Sequence, residues 1–142
     1  MARSEFRFAN PLRVRWAEVD QQGVVFNPNY LLYIDVAVTE YWRALSDGDM
    51  ASLKDLFDNV YVVKSTIEYH GSARFDDLID VCVRTARLGA SSMRVSFEIH
   101  RGDQHLLSAE NVYVYARQGK AQAIPEFFRT LVLNYESTAP ES

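Results

Sequence analysis

The feature that most limits the fold is one long amphipathic pattern between residues 27 and 48. Asn27 is a favourable N-cap, Pro28 suits the first helical turn, and Gly48 is a typical stop signal, so the pattern predicts a helix. Its apolar arc is wide and comprises Tyr30, Leu31, Ile34, Ala37, Val38, Tyr41, Trp42 and Leu45. Only Asp35, Thr39 and Arg43 form a polar stripe. A helix of this kind, roughly 30 Å long, is covered on most sides and is a core helix.

The rest of the chain is typical of β-structure. Alternating apolar and polar residues, bounded by turn residues, predict strands at residues 12–16, 61–69, 77–88, 93–100, 106–117 and 121–124. A helical turn or loop is expected at 51–59, and a short helix at 127–133. Tight turns between successive strands favour antiparallel pairing.

This order of elements predicts an α+β domain in which a curved antiparallel sheet of five or six strands wraps around one long central helix. One sheet cannot cover so apolar a helix and also bury its own second face. The remaining apolar surface is therefore expected to lie between subunits, which predicts at least a homodimer. We expect a single domain over residues 1–142, with its core at about 10–133 and a disordered tail at 134–142.

Charge and cysteine content exclude several classes of function. The formal net charge of -4 argues against a nucleic-acid-binding protein, which needs a dense cationic face. The single cysteine, Cys82, cannot form a disulfide within the chain or build a zinc site of several thiolates. No stretch has the apolar length of a membrane span and the first residues lack a signal-peptide pattern, so a cytoplasmic location is expected.

The loop before the helix contains the candidate catalytic residues. Asp20 lies in a turn-rich segment, Gly23 follows it, and the helix opens directly afterwards. The N-terminus of a helix presents unpaired N–H groups and a partial positive charge, which can stabilise the oxyanion formed when a carbonyl is attacked. Pro28 has no N–H, so the amide of Asn27, or one just before it, is the natural donor. A carboxylate nearby can activate water or attack directly.

Taken with the predicted architecture, this loop resembles the hotdog-fold thioesterases, in particular the 4-hydroxybenzoyl-CoA thioesterase-like branch. The residues that carry the resemblance are Val14-Arg15-Trp16-Ala17-Glu18-Val19-Asp20, then Gly23-Val24-Val25-Phe26, then Tyr30. Two later segments, Phe75-Asp76-Asp77-Leu78 and Leu88-Gly89-Ala90-Ser91-Ser92, are also similar to this family. The resemblance implies a hotdog fold over about residues 10–133. It also implies an acyl-CoA thioester hydrolase acting on a small aromatic or fatty acyl group.

The resemblance assigns roles to residues at matching positions. It implies that Asp20 is the catalytic carboxylate, that the Asn27 N–H polarises the thioester carbonyl, and that Gly23 lets the loop pass close to the substrate. It also implies that the pantetheine arm runs along Gly89, Ser91 and Ser92, and that the active site lies between two subunits. The further residues expected to contact substrate are Val25, Phe26, Tyr30, Tyr33, Ser65 and Arg87. Some relatives carry His at position 27, and Gln21-Gln22 also departs from the family pattern.

Several other functions are less compatible with the sequence. None of the three histidines, His70, His100 and His105, lies at a metal-ligand spacing on a helix. His100 and His105 flank a predicted hairpin and are predicted to have solvent or turn roles. No metal site or other cofactor is expected beyond the CoA thioester as substrate. The chain has no Gly-x-Ser-x-Gly motif, which argues against a serine hydrolase. A hotdog hydratase would be expected to carry an Asp-His pair at the loop and helix start. No His lies between Asp20 and Tyr41, which argues against a hydratase. A non-catalytic acyl- or small-ligand-binding module on the same scaffold, and a similar pocket fold without CoA chemistry, remain alternatives.

Overall fold

The computed structural model describes residues 3–142, so Met1 and Ala2 of the predicted domain lie outside the described residues. Three helices and six strands account for most of the described chain. They are β1 (Phe8–Arg13), α1 (Asn29–Leu45), α2 (Lys54–Asn59), β2 (Val60–Tyr69), β3 (Leu78–Leu88), β4 (Ser92–Arg101), β5 (Gln104–Arg117), β6 (Lys120–Ala121) and α3 (Glu126–Tyr135). Short 3-10 turns precede β1 and follow β1 and α1.

The strands form one antiparallel sheet in the order β1-β3-β4-β5-β2, with β6 beside the end of β5. The long strands β3, β4 and β5 follow each other through tight turns, as their turn residues predict. Strands β1 and β2 are the two edges, and β2 pairs only with β5 among the strands of residues 3–142. An edge strand leaves one row of backbone N–H and C=O groups unpaired, which gives β2 a surface for further pairing.

Helix α1 packs on one face of this sheet and contributes the largest share of buried aromatic residues to the core. Side chains alternate across a strand, so β4 turns Phe97 and Ile99 toward the core and Glu98 and His100 toward the opposite face. The predicted α+β architecture, an antiparallel sheet around one long helix, is confirmed. No helix found in residues 3–142 has the length and apolarity needed to cross a membrane.

The helix differs from the prediction at its start and along one face. It begins at Asn29 with Pro28 in the capping position, because the preceding residues form a turn in which the Asn29 amide donates to Phe26 O over 2.8 Å. It ends at Leu45, and Gly48 takes the left-handed conformation expected of a stop, with φ of +85°. Of its predicted apolar arc only Leu31 is exposed, and outside the arc Leu32 and Val36 are exposed as well.

The first strand also differs from the prediction. Strand β1 covers Phe8–Arg13 instead of the predicted residues 12–16, and Trp16 lies in a 3-10 turn with 75% of its surface exposed. The reason is local: the backbone N–H and guanidinium of Arg15 both bond the carboxylate of Glu18, which closes the chain into a turn. Simple alternation of apolar residues does not reveal this contact.

The C-terminal residues, predicted to form a disordered tail, make defined contacts in the structure. Helix α3 extends to Tyr135, and Glu136 is buried with its carboxylate bonded to Tyr41 Oη and the Thr85 amide. Glu141 then lies beside β3, and its carbonyl accepts a 2.8 Å hydrogen bond from the Leu88 amide. The tail therefore continues the contacts of the domain beyond residue 133.

Candidate active site

The loop that carries Asp20 is a closed turn. The Asp20 amide donates to Val24 O over 2.9 Å, and the Gly23 amide donates to Asp20 O over 3.0 Å. Val19 and Val25 pair across the base of this turn. Gly23 has a φ of +78°, a conformation that side chains with a Cβ rarely adopt, so the sharp reversal depends on glycine here. The turn holds Asp20 at a fixed point just before α1.

The Asp20 carboxylate is held on one side only. Its Oδ1 accepts a 2.8 Å hydrogen bond from the Gln22 amide. No protein partner of Oδ2 is found within residues 3–142, and the side chain lines a cleft of about 700 Å³. One carboxylate oxygen is therefore oriented by the backbone, while the other is available to a ligand.

The cleft around Asp20 is mainly apolar and aromatic. Trp16 and Phe75 meet edge to face, with ring centroids 5.4 Å apart, and both rings are widely exposed. The lining residues are Trp16, Ala17, Val19, Asp20, Gln21, Gly23, Phe26, Asn29 and Phe75. Among these lining residues, Asp20 is the one charged side chain. A lone carboxylate in such a cleft is suited to act as a base or nucleophile, not as part of a metal-ligand cluster.

The amino end of α1 adjoins this cleft through Phe26 and Asn29. Asn27, just before the helix, is exposed, and its amide finds no acceptor in the described part of the chain. The side chain of Asn27 also makes no hydrogen bond there, so it does not cap the helix. The free N–H and the positive end of a 17-residue helix together form a potential anion-binding site.

Glu18 fixes the loop from beneath, a role that sequence reasoning missed. Its carbonyl accepts hydrogen bonds from the Phe26 amide and from Asn29 Nδ2, each 2.9 Å long. Its buried carboxylate accepts from Arg15 and from Tyr33 Oη. Burial raises the pKa of Glu18, but these hydrogen bonds and the Arg15 charge outweigh burial and leave its pKa below the ordinary value. The sequence signal that could have revealed this role is the position of an acidic residue, Glu18, two residues before Asp20.

Three residues predicted to contact substrate lie in the core, not in the cleft wall. Tyr33 is fully buried, and burial together with its hydrogen bond to Glu18 raises its pKa. Tyr30 is buried too, and its hydroxyl accepts a 3.0 Å hydrogen bond from the Ala73 amide. Val25 is buried and donates its amide to Ala73 O. Phe26, in contrast, is 55% exposed and lines the cleft.

The other predicted substrate contacts lie far from Asp20 within one chain. Asp20 is near the Leu78 end of β3, because its loop pairs with Arg74 through Val24. Gly89 and Ser91 lie in the turn beyond the other end, at Leu88, and Ser92 begins β4 directly after it. Ten strand steps separate these ends by roughly 33 Å. Arg87 lies at that same distant end, so a single chain does not bring this group to Asp20.

Ser65 lies elsewhere again, on the edge strand β2. It is exposed and its hydroxyl donates a 2.7 Å hydrogen bond to Asn111 Oδ1 on β5. The structure thus brings Asp20, Gly23 and Phe26 together in one cleft, and Asn27 follows Phe26 directly in the chain. It leaves Ser65, Arg87 and the 89–92 turn as separate surface features of the same chain.

Comparison with known proteins places this chain in a family. The model of the thioesterase superfamily matches residues 22–108, which is more than half of the chain. An acyl-CoA thioester hydrolase, YbgC of Escherichia coli O6:H1, is 28% identical over 107 residues, and the match covers 75% of this chain and 79% of that protein.

Solved structures share the fold over nearly the whole chain. A protein of Pseudomonas aeruginosa strain PAO1 is 26% identical, with a TM-score of 0.79 and 96% of each chain covered. A thioesterase from Thermus thermophilus, complexed with coenzyme A and Zn, is 24% identical with a TM-score of 0.83, and the match covers 95% of this chain and 98% of that one. The hotdog architecture expected from the sequence is therefore confirmed.

Proposed function

Because the chain belongs to the thioesterase superfamily, we propose that it hydrolyses the thioester bond of an acyl-CoA, with Asp20 as the catalytic carboxylate. The observation that carries this proposal is the position of Asp20. It is the one charged side chain among those lining an aromatic cleft at the amino end of α1. The curated relative in Escherichia coli bears the name acyl-CoA thioester hydrolase, and the Thermus thermophilus structure contains coenzyme A, which supports the same substrate class.

The proposed reaction uses two groups of this site, the Asp20 carboxylate and the Asn27 N–H. Asp20 takes a proton from water as the water oxygen attacks the thioester carbonyl carbon, or its own oxygen attacks that carbon first and water then cleaves the anhydride. In either route the carbonyl oxygen becomes negative, and the free Asn27 N–H donates to it. When this oxyanion collapses, the carbon–sulfur bond breaks and the thiolate of CoA leaves. In the general-base route the thiolate takes the proton that Asp20 removed from water, and the free acid leaves. In the nucleophilic route the thiolate leaves as the anhydride forms, and the water that later cleaves the anhydride gives the thiolate its proton and the acyl group its second oxygen.

The walls of the cleft favour an acyl group that is flat or apolar. Trp16, Phe26 and Phe75 present aromatic surface beside Asp20. Aromatic rings pack well against other rings in edge-to-face or offset arrangements, and they also bury aliphatic chains. A small aromatic or fatty acyl group is therefore the proposed substrate.

A second subunit supplies the rest of the proposed site. The edge strand β2 exposes Tyr61, Val62 and Val63, each with at least half of its surface accessible. Unpaired backbone groups next to exposed β-branched side chains favour pairing with another strand, and two copies of β2 can pair around a two-fold axis. We propose that the chain forms a homodimer, alone or as a dimer of dimers. In it the 89–92 turn and Arg87 of one subunit approach Asp20 of the other and bind the pantetheine arm and phosphates of CoA.

An acyl-CoA panel tests this function. The purified protein is mixed with short, long and aromatic acyl-CoAs, and release of free thiol is followed with a thiol reagent while binding is measured in parallel by calorimetry. Thiol release from at least one member supports the proposal. Binding without release across the panel would overturn it in favour of the non-catalytic acyl-binding module.

A further inference from the structure

All three histidines of the chain meet on the face of the sheet that points away from α1. His100 and His105 stack with ring centroids 4.7 Å apart, and His70 lies 4.7 Å from His105 by the same measure. Glu98 joins them on β4. The prediction that His100 and His105 have solvent or turn roles is wrong for His100, which is only 6% exposed.

Glu98, His100 and His105 each bring one ligand-capable atom close to the other two. His100 Nε2 lies 2.9 Å from Glu98 Oε1, and His105 Nε2 lies 3.8 Å from the same oxygen. One ligand-capable atom from each of these three residues falls within 4.8 Å of the others. Glu98 and His100 are both buried, so a carboxylate and an imidazole have been taken out of water together.

Irregularities of the sheet create this convergence. The pairing of β4 with β5 shifts between Ile99 and His100, and the shift sets His105 opposite His100. The carbonyl of Leu106, beside His105, accepts the amides of both His70 and Gly71, which brings the end of β2 to the same place. Bulges of this kind redirect side chains and occur often beside functional sites.

We infer that Glu98, His100 and His105 form a binding site for a divalent transition metal of the Zn²⁺ type, with His70 or water beside it. Imidazole and carboxylate are the ligands that such metals take, whereas Mg²⁺ prefers oxygen alone. Zinc–ligand bonds of about 2.0–2.1 Å in a tetrahedral site separate the ligand atoms by roughly 3.3 Å. The two separations from Glu98, 2.9 and 3.8 Å, lie on either side of that value.

Binding exchanges existing contacts for the metal. His105 Nε2 now lies 2.9 Å from Leu107 O and 3.0 Å from Ser108 Oγ, so its ring must turn to present a lone pair to the ion. Glu98 remains the negative ligand, and both imidazoles bind in the neutral form. This rotation of the His105 ring moves a side chain within the cluster and leaves the β4–β5 backbone hydrogen bonds in place.

A cavity of about 430 Å³ reaches this cluster at Glu98. Glu98 and Ser108 lie in its wall together with Thr66, Glu68 and Glu110. Three carboxylates around one opening concentrate cations there. None of the residues lining this cavity lines the Asp20 cleft, so the proposed metal site is separate from the thioesterase site.

Metal binding to the purified full chain tests the inference. After treatment with a chelator, the protein is titrated with Zn²⁺ by calorimetry, and Co²⁺ is added separately to record its visible absorption. We expect one saturable site per chain, an intense tetrahedral-type Co²⁺ spectrum, a higher melting temperature with Zn²⁺, and no competition from Mg²⁺.

Two variants separate ligation from general attraction to acids. The double variant His100→Gln with His105→Gln should weaken Zn²⁺ binding by more than roughly 100-fold. Loss of a residue that only hydrogen-bonds a metal ligand already costs up to about that much. Glu68→Gln removes a charge from the cavity wall without removing a ligand and should change the affinity only slightly. Asp20→Asn should bind Zn²⁺ as the wild type does, which makes this result independent of the proposed hydrolase activity.

The inference is overturned if the wild type shows no saturable Zn²⁺ site, or if the double variant binds as tightly as the wild type. The cluster is then an ordinary buried His–Glu pair only. Should the double variant fail to fold, the Co²⁺ spectrum of the wild type decides. A weak octahedral-type spectrum, unchanged in intensity from that of free Co²⁺, also overturns the inference.

Discussion

The hydroxyl of Tyr33, on α1, donates a 2.8 Å hydrogen bond to Oε1 of Glu18, which is buried beneath the loop that carries Asp20. The backbone carbonyl of Glu18 in turn accepts from Phe26 and Asn29 at the far end of that loop. The central helix and the two ends of the loop therefore meet at a single residue. Movement of Glu18 would move the proposed base relative to the helix terminus.

Tyr33→Phe tests how much this contact holds the loop. The change leaves Glu18 Oε1 with one donor fewer in a buried site, so we expect a loss of about 1–3 kcal/mol in the free energy of unfolding, measured in urea. Turnover should fall as well, because the loop is less firmly placed. Tyr61→Phe, at an exposed position, is the matched control and should change stability little. Equal stability of Tyr33→Phe and wild type would contradict the role given to this hydrogen bond.

The pH dependence of stability tests the charge on Glu18. Its pKa is lower in the folded chain than its ordinary value of 4.5, so ionised Glu18 adds stability above that pH. This contribution is lost as the pH falls through the lowered folded pKa. The stability difference between wild type and Glu18→Gln should therefore be large near neutrality and shrink in acid, as followed by chemical unfolding from about pH 7 to about pH 3. A difference that stays constant over this interval would show that Glu18 does not act through its charge.

Asp20→Asn tests the proposed catalytic carboxylate. The amide retains the shape of the side chain and an oxygen for the Gln22 amide, but it cannot accept a proton from water or attack the thioester effectively. We expect kcat to drop by roughly 10²–10⁴-fold on the best acyl-CoA, with an unchanged melting curve. Asp103→Asn, in the exposed β4–β5 turn, should retain full activity. Wild-type turnover by Asp20→Asn would remove Asp20 from the mechanism.

A charge on the edge strand tests the proposed dimer. Val62→Lys places an ammonium group near the start of the edge strand β2, at an exposed position that strand pairing between two copies would bury. We expect a shift toward monomer in analytical ultracentrifugation and a parallel loss of activity, because the 89–92 turn comes from the partner in the proposed site. Leu133→Lys, at an exposed position of α3, is the control and should leave the mass of the oligomer unchanged. A monomeric wild type with full activity would argue against a shared site.

The local parts of this protein could be predicted from the sequence. Helix α1 is indicated by apolar residues at a spacing near 3.6, and β4 by strict alternation, because each pattern reflects the geometry of its own element. Asp20, Gly23 and Asn27 could be placed together for the same reason: they are neighbours along the chain, and the helix that follows them fixes the direction of its own positive end. The catalytic role of Asp20 stays a prediction.

Contacts between distant segments were decided only by the tertiary structure. Trp16 meets Phe75, and Tyr33 bonds Glu18. His100 and His105 lie beside Glu98, and the end of β2 brings His70 next to His105. The separation of Asp20 from Gly89 along β3 likewise became visible only in the folded chain. Local patterns state which face of an element is apolar, but sheet order, register shifts and burial determine which side chains meet, because those depend on how the elements pack as a whole.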